Sequence, residues 1–199
     1  FSINIKNISE DRENSKTINS FKVLAKKYKI AVLFGVVIKN NKKALNKSIF
    51  IDNQGDILGE YAKIHPFSFL GEGKYFDAGE SLTFVKYKDL NIGLSICYDL
   101  RFPELYSALA KKSDIIINIS NWPKKRVDHW NTLLKARAIE NQLYVCGVNR
   151  IGVDGNNLEY KESSQCIDPN GEFLVYEQME DMKIYNIENI NNKHYNKEN

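Results

Sequence analysis

Four side chains in this sequence have types and neighbours suited to covalent chemistry: Cys97, Lys63, His65 and Glu72. Cys97 closes the apolar run Ile92-Gly-Leu-Ser-Ile96 and precedes Tyr98-Asp-Leu-Arg-Phe-Pro-Glu104. A thiol at the end of a strand, on the turn into a helix, is placed to attack an electrophile, and nearby helix amides or cations favour the reactive thiolate. The same position also suits a small buried hydrophobe. Lys63 lies between Tyr61-Ala62 and Ile64-His65-Pro66-Phe67. Alone it reads as a solvated lysine. Held in a dry pocket beside a thiol, it would stabilise the thiolate and the oxyanion formed after attack. His65 is the candidate for a Cys–His dyad, although Pro66 biases it toward extended backbone and a packed or capping histidine fits equally well. Glu72, in Leu70-Gly-Glu-Gly-Lys-Tyr-Phe76, reads on its own as a surface carboxylate.

Other chemistries lack their residues. Gly71-Glu-Gly-Lys74 is missing both the earlier glycine and the following Ser/Thr of a phosphate loop. Three scattered histidines and no clustered carboxylates make no metal ligand set. His129 reads as structural on a helix, and His194 falls in a polar tail. Cys146, within Leu143-Tyr-Val-Cys-Gly-Val148, and Cys166 read as small buried residues in strands.

The elements that must position these groups follow from periodicity. Residues 13–29 read as a helix with Ile18, Phe21, Leu24, Ala25 and Tyr28 inward and Lys16, Lys22, Lys26 and Lys27 outward. The run 30–38 reads as a strand covered on both faces. Further strands are expected at 44–52 and 57–61, with the turn Asn53-Gln-Gly-Asp56 between them. A glycine-bearing loop covers 66–81, and a hairpin covers 82–87 and 91–97. From Cys97 the order becomes helix (103–112, opened by Pro103), strand (114–120), helix (127–142), strand (143–149). A polar loop at 152–157, a hairpin of 164–168 and 172–176 around Pro169-Asn-Gly171, and a strand at 182–187 complete the chain. This alternation predicts a layered α/β single domain.

Composition narrows the class. The 199 residues are 43% hydrophobic and 27% charged, which suits one sizeable core and excludes disorder as the main state. The 28 basic residues exceed 25 acidic ones by only three and are scattered, so no nucleic-acid footprint is present. The longest apolar run, residues 30–38, is too short to span a membrane. Three cysteines with no paired spacing predict a reducing, cytoplasmic setting rather than a disulfide framework.

The blocks Tyr61-Ala-Lys-Ile-His-Pro-Phe67 and Cys97-Tyr-Asp-Leu-Arg-Phe-Pro-Glu104 resemble those of the nitrilase superfamily of carbon–nitrogen hydrolases. The likeness continues through Asn121-Trp-Pro, His129-Trp130, Ala136-Arg-Ala-Ile-Glu-Asn-Gln142, Asn149-Arg150 and Asp168-Pro-Asn-Gly-Glu172, in order from about residue 20 to 190. Asn121-Trp-Pro, Arg126, His129-Trp130 and Asn149-Arg150-Ile-Gly-Val-Asp-Gly-Asn156 are most like the omega-amidase branch.

The resemblance implies a four-layer α-β-β-α sandwich, formed by residues 1–199 as one domain and truncated at both ends. It implies Cys97 as nucleophile, Lys63 as its catalytic lysine and Glu72 as the loop glutamate that orients lysine and substrate. The Tyr98 amide would share the oxyanion hole with Lys63. Asn121, Trp122 and Arg126 are candidates for substrate binding, with Arg126 or Lys124 as the cation for a distal carboxylate. The family's general-base glutamate would precede Phe1, since Glu10 and Asp11 stand too far along, and the chain alone would then be inactive. The implied reaction is hydrolysis of a terminal amide on a small carboxylate-bearing molecule through a thioester, with ammonia released, no metal or cofactor, and a homodimeric protein. Alternatives are an N-carbamoyl amide hydrolase, a catalytically silent binding domain of the same fold, or a thiol hydrolase using His65.

Overall fold

The computed structural model describes residues 4–180 and 182–187. A short helix α1 (Ile5–Ile8) leads to α2 (Lys16–Tyr28), whose first turn is capped by the Ser15 hydroxyl accepting from the Ile18 amide at 3.1 Å. Helix α2 starts three residues later than the periodicity predicts. Its buried side chains are Ile18 and Ala25, whereas Leu24 and Tyr28, expected inward, are 43% and 64% exposed. Lys29 in the left-handed region (φ 53°) ends the helix and turns the chain into the first sheet.

That sheet comprises β1 (Val32–Asn40), β2 (Lys43–Ile51) and β3 (Ile57–Ala62), consecutive antiparallel neighbours, with the short β4 (Phe76–Asp77) parallel to β2. The loop expected at 66–81 thus contains β4 and two single 3₁₀ turns, Ser68–Leu70 and Glu72–Lys74. The second sheet has the order β11–β8–β7–β6–β5. Strands β5 (Phe84–Tyr87) and β6 (Leu90–Ile96) form the expected hairpin. Helix α3 (Pro103–Ala110) then crosses to β7 (Ile115–Ser120), and α4 (Val127–Asn141) crosses to β8 (Tyr144–Asn149). Strands β6, β7 and β8 are mutually parallel, as helical crossovers require. The segment read as a polar loop at 152–157 belongs to a tight hairpin of β9 (Gly152–Val153) and β10 (Glu159–Tyr160). After β11 (Gln165–Ile167) the expected turn forms, with Asp168 and Glu172 bonded across it. Residues 172–176 form only a single bridge, and β12 (Tyr176–Met179) pairs instead with β13 (Met182–Tyr185). His194 lies outside the described residues.

Three apolar clusters separate four layers. Ile18 and Ala25 of α2 pack on Phe34, Val36, Ile49 and Ile51 of the first sheet. Between the sheets, Phe50 and Tyr61 meet Ile92, Leu94, Ile96 and Ile115. On the far side Leu105, Tyr106, Leu109, Trp130 and Leu134 of α3 and α4 cover Ile116 and Val145. The period-two alternation of β6 explains this: Ile92, Leu94 and Ile96 face the other sheet, while Gly93 and Ser95 face the helices. Gly147 of β8 lies so close to α4 that a Cβ there would sit 2.5 Å from Trp130 Cζ2.

One expectation is overturned. Cys146 and Cys166 are directly opposite on antiparallel β8 and β11 and are joined as a disulfide, leaving Cys97 as the free thiol. A sequence separation of 20 conceals this, because the register of β11 on β8 sets the pairing. The argument from cysteine count for a reducing compartment therefore falls away. Among the described residues no helix is long and apolar enough to cross a membrane.

Candidate active site

Lys63 continues the path of β3 beyond its last ladder residue: its amide donates to Asn46 O at 2.9 Å and its carbonyl accepts from Gly79 N at 2.8 Å. The backbone is thereby fixed, and the side chain runs inward until the residue is only 3% exposed. Its Nζ donates to Glu72 Oε2 at 2.6 Å. Glu72 opens the second 3₁₀ turn just after Gly71, whose φ of 71° lets the chain fold back. The carboxylate is fully buried and also accepts from the Phe67 amide and from Asn46 Nδ2. Sequence alone read both groups as solvated. The loop's two turns bring them together and leave each the other's charge partner.

Cys97 is the first residue beyond β6 and has a φ of 48°, a conformation that costs an L-residue about 1–2 kcal/mol. Two buried polar groups hold it there. The Cys97 amide donates to Asn118 Oδ1 at 3.1 Å, and Asn118 Nδ2 donates to Ser95 Oγ and the Tyr106 hydroxyl at 3.0 and 3.1 Å. Burial pushes the Tyr106 phenol above its usual range, so it stays protonated and available to this network. Asp99 secures the preceding residue by accepting from the Ile96 amide at 3.0 Å. The result is a sharp strand-to-turn bend that projects the thiol side chain from the sheet edge.

A cavity of about 1060 Å³ opens at this edge, where β6, β7 and β8 all end. Seven of the sequence-predicted site residues line it: Lys63, Glu72, Cys97, Tyr98, Asn121, Trp122 and Arg126. Trp122 is also core, with its indole 5.3 Å from Trp130 and its Nε1 donating to Arg126 O at 2.7 Å. Arg126 stands 5.9 Å from the Phe67 ring and forms no ion pair among the described residues. Lys124 does not line the cavity; it pairs with Glu159 on the surface at 2.7 Å, which removes it as the carboxylate cation. His65 also turns away: its Nδ1 meets Asp99 Oδ1 at 2.8 Å, its ring stacks on Phe102 at 3.6 Å, and it is not part of the lining. The geometry therefore offers no Cys97–His65 dyad. His129 contacts Arg101 at 3.1 Å, equally outside the cavity.

The structure adds residues that the sequence reading passed over. Asn149 accepts from the Trp122 amide at 2.7 Å and donates to Trp122 O at 2.9 Å, fastening the loop after β7 to the end of β8. Tyr160 of β10 is buried in the wall under the Arg150 guanidinium, 4.7 Å from its ring, and donates to Asp154 at 2.9 Å. Burial raises the Tyr160 phenol first, and the Asp154 carboxylate raises it further. Glu10, set aside by its sequence position, also lines the cavity. Burial opposes its ionisation, but hydrogen bonds from Ser15 and Thr17 outweigh that and hold its carboxyl below the usual range. Its lone pairs are thus committed to the start of α2. Lys63, Arg101, Lys125, Arg126 and Arg150 on the wall outnumber the carboxylates Glu10, Glu72 and Asp154, which gives the cavity an excess of positive charge.

The α-β-β-α sandwich thus brings a cysteine on a strained bend and a buried lysine–glutamate pair to one cavity, which no histidine among the described residues lines. Residues 5–186 match the family model for carbon-nitrogen hydrolases, and the chain belongs to that family. Across 98% of its length it is 36% identical to a Staphylococcus aureus protein named "Hydrolase in agr operon", of which it spans 77%. It is 40% identical to the Yersinia enterocolitica omega-amidase YafV over 71% of this chain, spanning 55% of that relative. In structure it is similar to XC1258 from Xanthomonas campestris, a CN-hydrolase superfamily protein carrying an arsenic adduct in its active site. That match has a TM-score of 0.81 at 31% identity and covers 95% of this chain and 71% of the other. Within the nitrilase superfamily the chain falls with the omega-amidase branch.

Proposed function

We propose that this chain forms the core of an omega-amidase-like enzyme that hydrolyses the terminal amide of a small carboxylate-bearing substrate through a Cys97 thioester. The observation that carries the proposal is the shared cavity, whose lining includes both the only free thiol among the described residues and a buried lysine–glutamate pair, amid surplus positive charge. The Cys97 thiolate attacks the amide carbon, forming a C–S bond and moving the carbonyl electron pair onto oxygen. The Tyr98 amide and Lys63 Nζ stabilise that oxyanion, and Glu72 fixes the direction of the lysine through its 2.6 Å bond. Collapse of the tetrahedral species breaks the C–N bond, and the nitrogen leaves as ammonia after taking up a proton. Water then attacks the thioester, a C–O bond forms, the C–S bond breaks, and the thiol is restored.

The resemblance implies a glutamate as the acceptor of the thiol proton, which it passes to the leaving nitrogen. Arg126 is the distal-carboxylate cation, because it lines the cavity without an anionic partner among the described residues. The test is ammonia release by the full-length protein from an omega-amide of a dicarboxylic acid, the matched amide lacking the carboxylate, and an N-carbamoyl amino acid. Turnover of the first alone is expected, abolished by Cys97→Ala and weakened through KM by Arg126→Ala. Preferential turnover of the carbamoyl compound, or activity of Cys97→Ala within tenfold of wild type, would overturn the proposal.

A further inference from the structure

Lys63 and Cys97 belong to different sheets, and no backbone ladder joins β3 to β6. Their relative position must be set by side chains. One group bridges the two segments. Asp99, two residues beyond Cys97, is fully buried, and its carboxylate takes hydrogen bonds from both sides. Oδ2 accepts from the Tyr61 hydroxyl at 2.8 Å and from the Ile96 amide at 3.0 Å. Oδ1 accepts from the His65 amide at 3.0 Å and meets His65 Nδ1 at 2.8 Å. Because a carboxylate only accepts, that ring nitrogen carries the proton. The Tyr61 hydroxyl in turn accepts from the Ile64 amide at 3.2 Å. Tyr61 and His65 stand two residues before and two residues after Lys63, while Ile96 and Asp99 flank Cys97. The bonds therefore enclose both candidate reacting groups.

We infer that Asp99 is a positioning residue: its buried carboxylate staples the segment carrying Lys63 to the turn carrying Cys97 and so sets the distance between ammonium and thiol. Four accepted bonds use the full lone-pair capacity of the group. An aspartate serving stability alone could satisfy its donors within one segment, whereas these come from both. Burial, and then the neighbouring Asp99 charge, push the Tyr61 phenol well above its usual range, which keeps Tyr61 a donor to the staple. Asparagine in place of Asp99 has the same shape but one acceptor oxygen, so its NH₂ group would oppose donors on one side and release one segment.

The inference rests on the Cys97–Lys63 reading of the site, and the experiment separates the two. The Cys97 thiol is alkylated with anionic iodoacetate and with neutral iodoacetamide, and the ratio of rates is read by mass spectrometry at one pH. A nearby ammonium favours the anionic reagent. The reference lacking that ammonium is Lys63→Met/Glu72→Gln, in which the ratio is expected to fall by about fivefold. An unchanged ratio there would sink the Cys97–Lys63 reading itself. If the reference falls as expected, Asp99→Asn should lower the ratio by a similar factor although Lys63 is present, and should add nothing in the triple variant. Asp99→Asn that lowers thermal stability but leaves the ratio within 1.5-fold of wild type would overturn the positioning role. Should Asp99→Asn not fold, His65→Phe keeps an aromatic ring against Phe102 while removing the ring bond to Oδ1, and His65→Ala removes both; each is expected to lower the ratio by about half as much on a logarithmic scale. No change in either folded His65 variant would then count against the staple.

Discussion

Removing either partner of the Lys63–Glu72 pair should cost far more stability than removing both. Lys63 is 3% exposed and Glu72 fully buried, with 2.6 Å between Nζ and Oε2. Lys63→Met strands the carboxylate on two neutral donors, the Phe67 amide and Asn46 Nδ2. Glu72→Gln strands an ammonium. Breaking a buried pair in this way costs about 3–5 kcal/mol, whereas replacing both charges is often close to neutral. Each single variant should therefore lose about a fifth or more of the roughly 5–15 kcal/mol typical of a folded protein. For a chain of this size that is a fall in Tm of roughly 6–20 °C. The double variant Lys63→Met/Glu72→Gln should lie within about 2 kcal/mol of wild type while remaining without turnover. Urea unfolding followed by fluorescence of the buried Trp122 and Trp130 measures all four proteins. The coupling should resist added salt, since a pair this deep is poorly screened. A double variant as unstable as the sum of its singles would refute the argument that each charge is tolerated only because of the other.

Asn118→Ala removes three hydrogen bonds and frees the Cys97 amide, so a loss of about 2–4 kcal/mol is expected, together with slower Cys97 alkylation as the bend relaxes; unchanged thiol reactivity would show that the bend does not depend on Asn118. Gly147→Ala forces a methyl to within 2.6 Å of both Trp130 Cζ2 and Leu134 Cδ1 and should cost about 1–3 kcal/mol by overpacking, partly recovered by Leu134→Val in a thermal melt. Glu60 is held below the usual carboxylate range because, although burial opposes ionisation, hydrogen bonds and charge from Arg12 and Lys47 outweigh it. A depressed folded-state value means stability present above the unfolded pKa of about 4.3 and lost as pH falls through the folded one. The deficit of Glu60→Gln relative to wild type should therefore be constant at neutral pH and shrink below about pH 4 in acid titrations.

Much of the frame was legible because its signals are local. β-Branched runs gave the central strands, Pro103 marked the start of α3, and Cys97 at the end of an apolar run already stood where a reacting group would be useful. The rest depends on register and on how loops fold back. Leu24 and Tyr28 keep helical spacing with Ile18 but lie off the face that α2 buries, because Ser15 starts the helix late and sets its rotation. The disulfide follows from the alignment of β11 on β8, which no spacing rule in the chain records. Lys63 and Glu72 each look solvated until two single turns carry one over the other. Asn118 did carry a signal: a polar amide in the middle of the buried run Ile115-Ile-Ile-Asn-Ile119 has to be satisfied by something, and here it holds the backbone of Cys97. Asp99 was hidden within a motif whose neighbours drew attention first.

The common direction of β6, β7 and β8 has a consequence for change over time. Three stretches of polypeptide, beginning at Cys97, Asn121 and Arg150, emerge side by side on one rim, each anchored in a separate rung of an unvarying ladder. Lengthening or recolouring the second or third remodels the mouth that a molecule must enter, while the first, with its sulfur, stays where it was. A descendant could thus trade one guest for another by rewriting a rim and leaving the floor untouched.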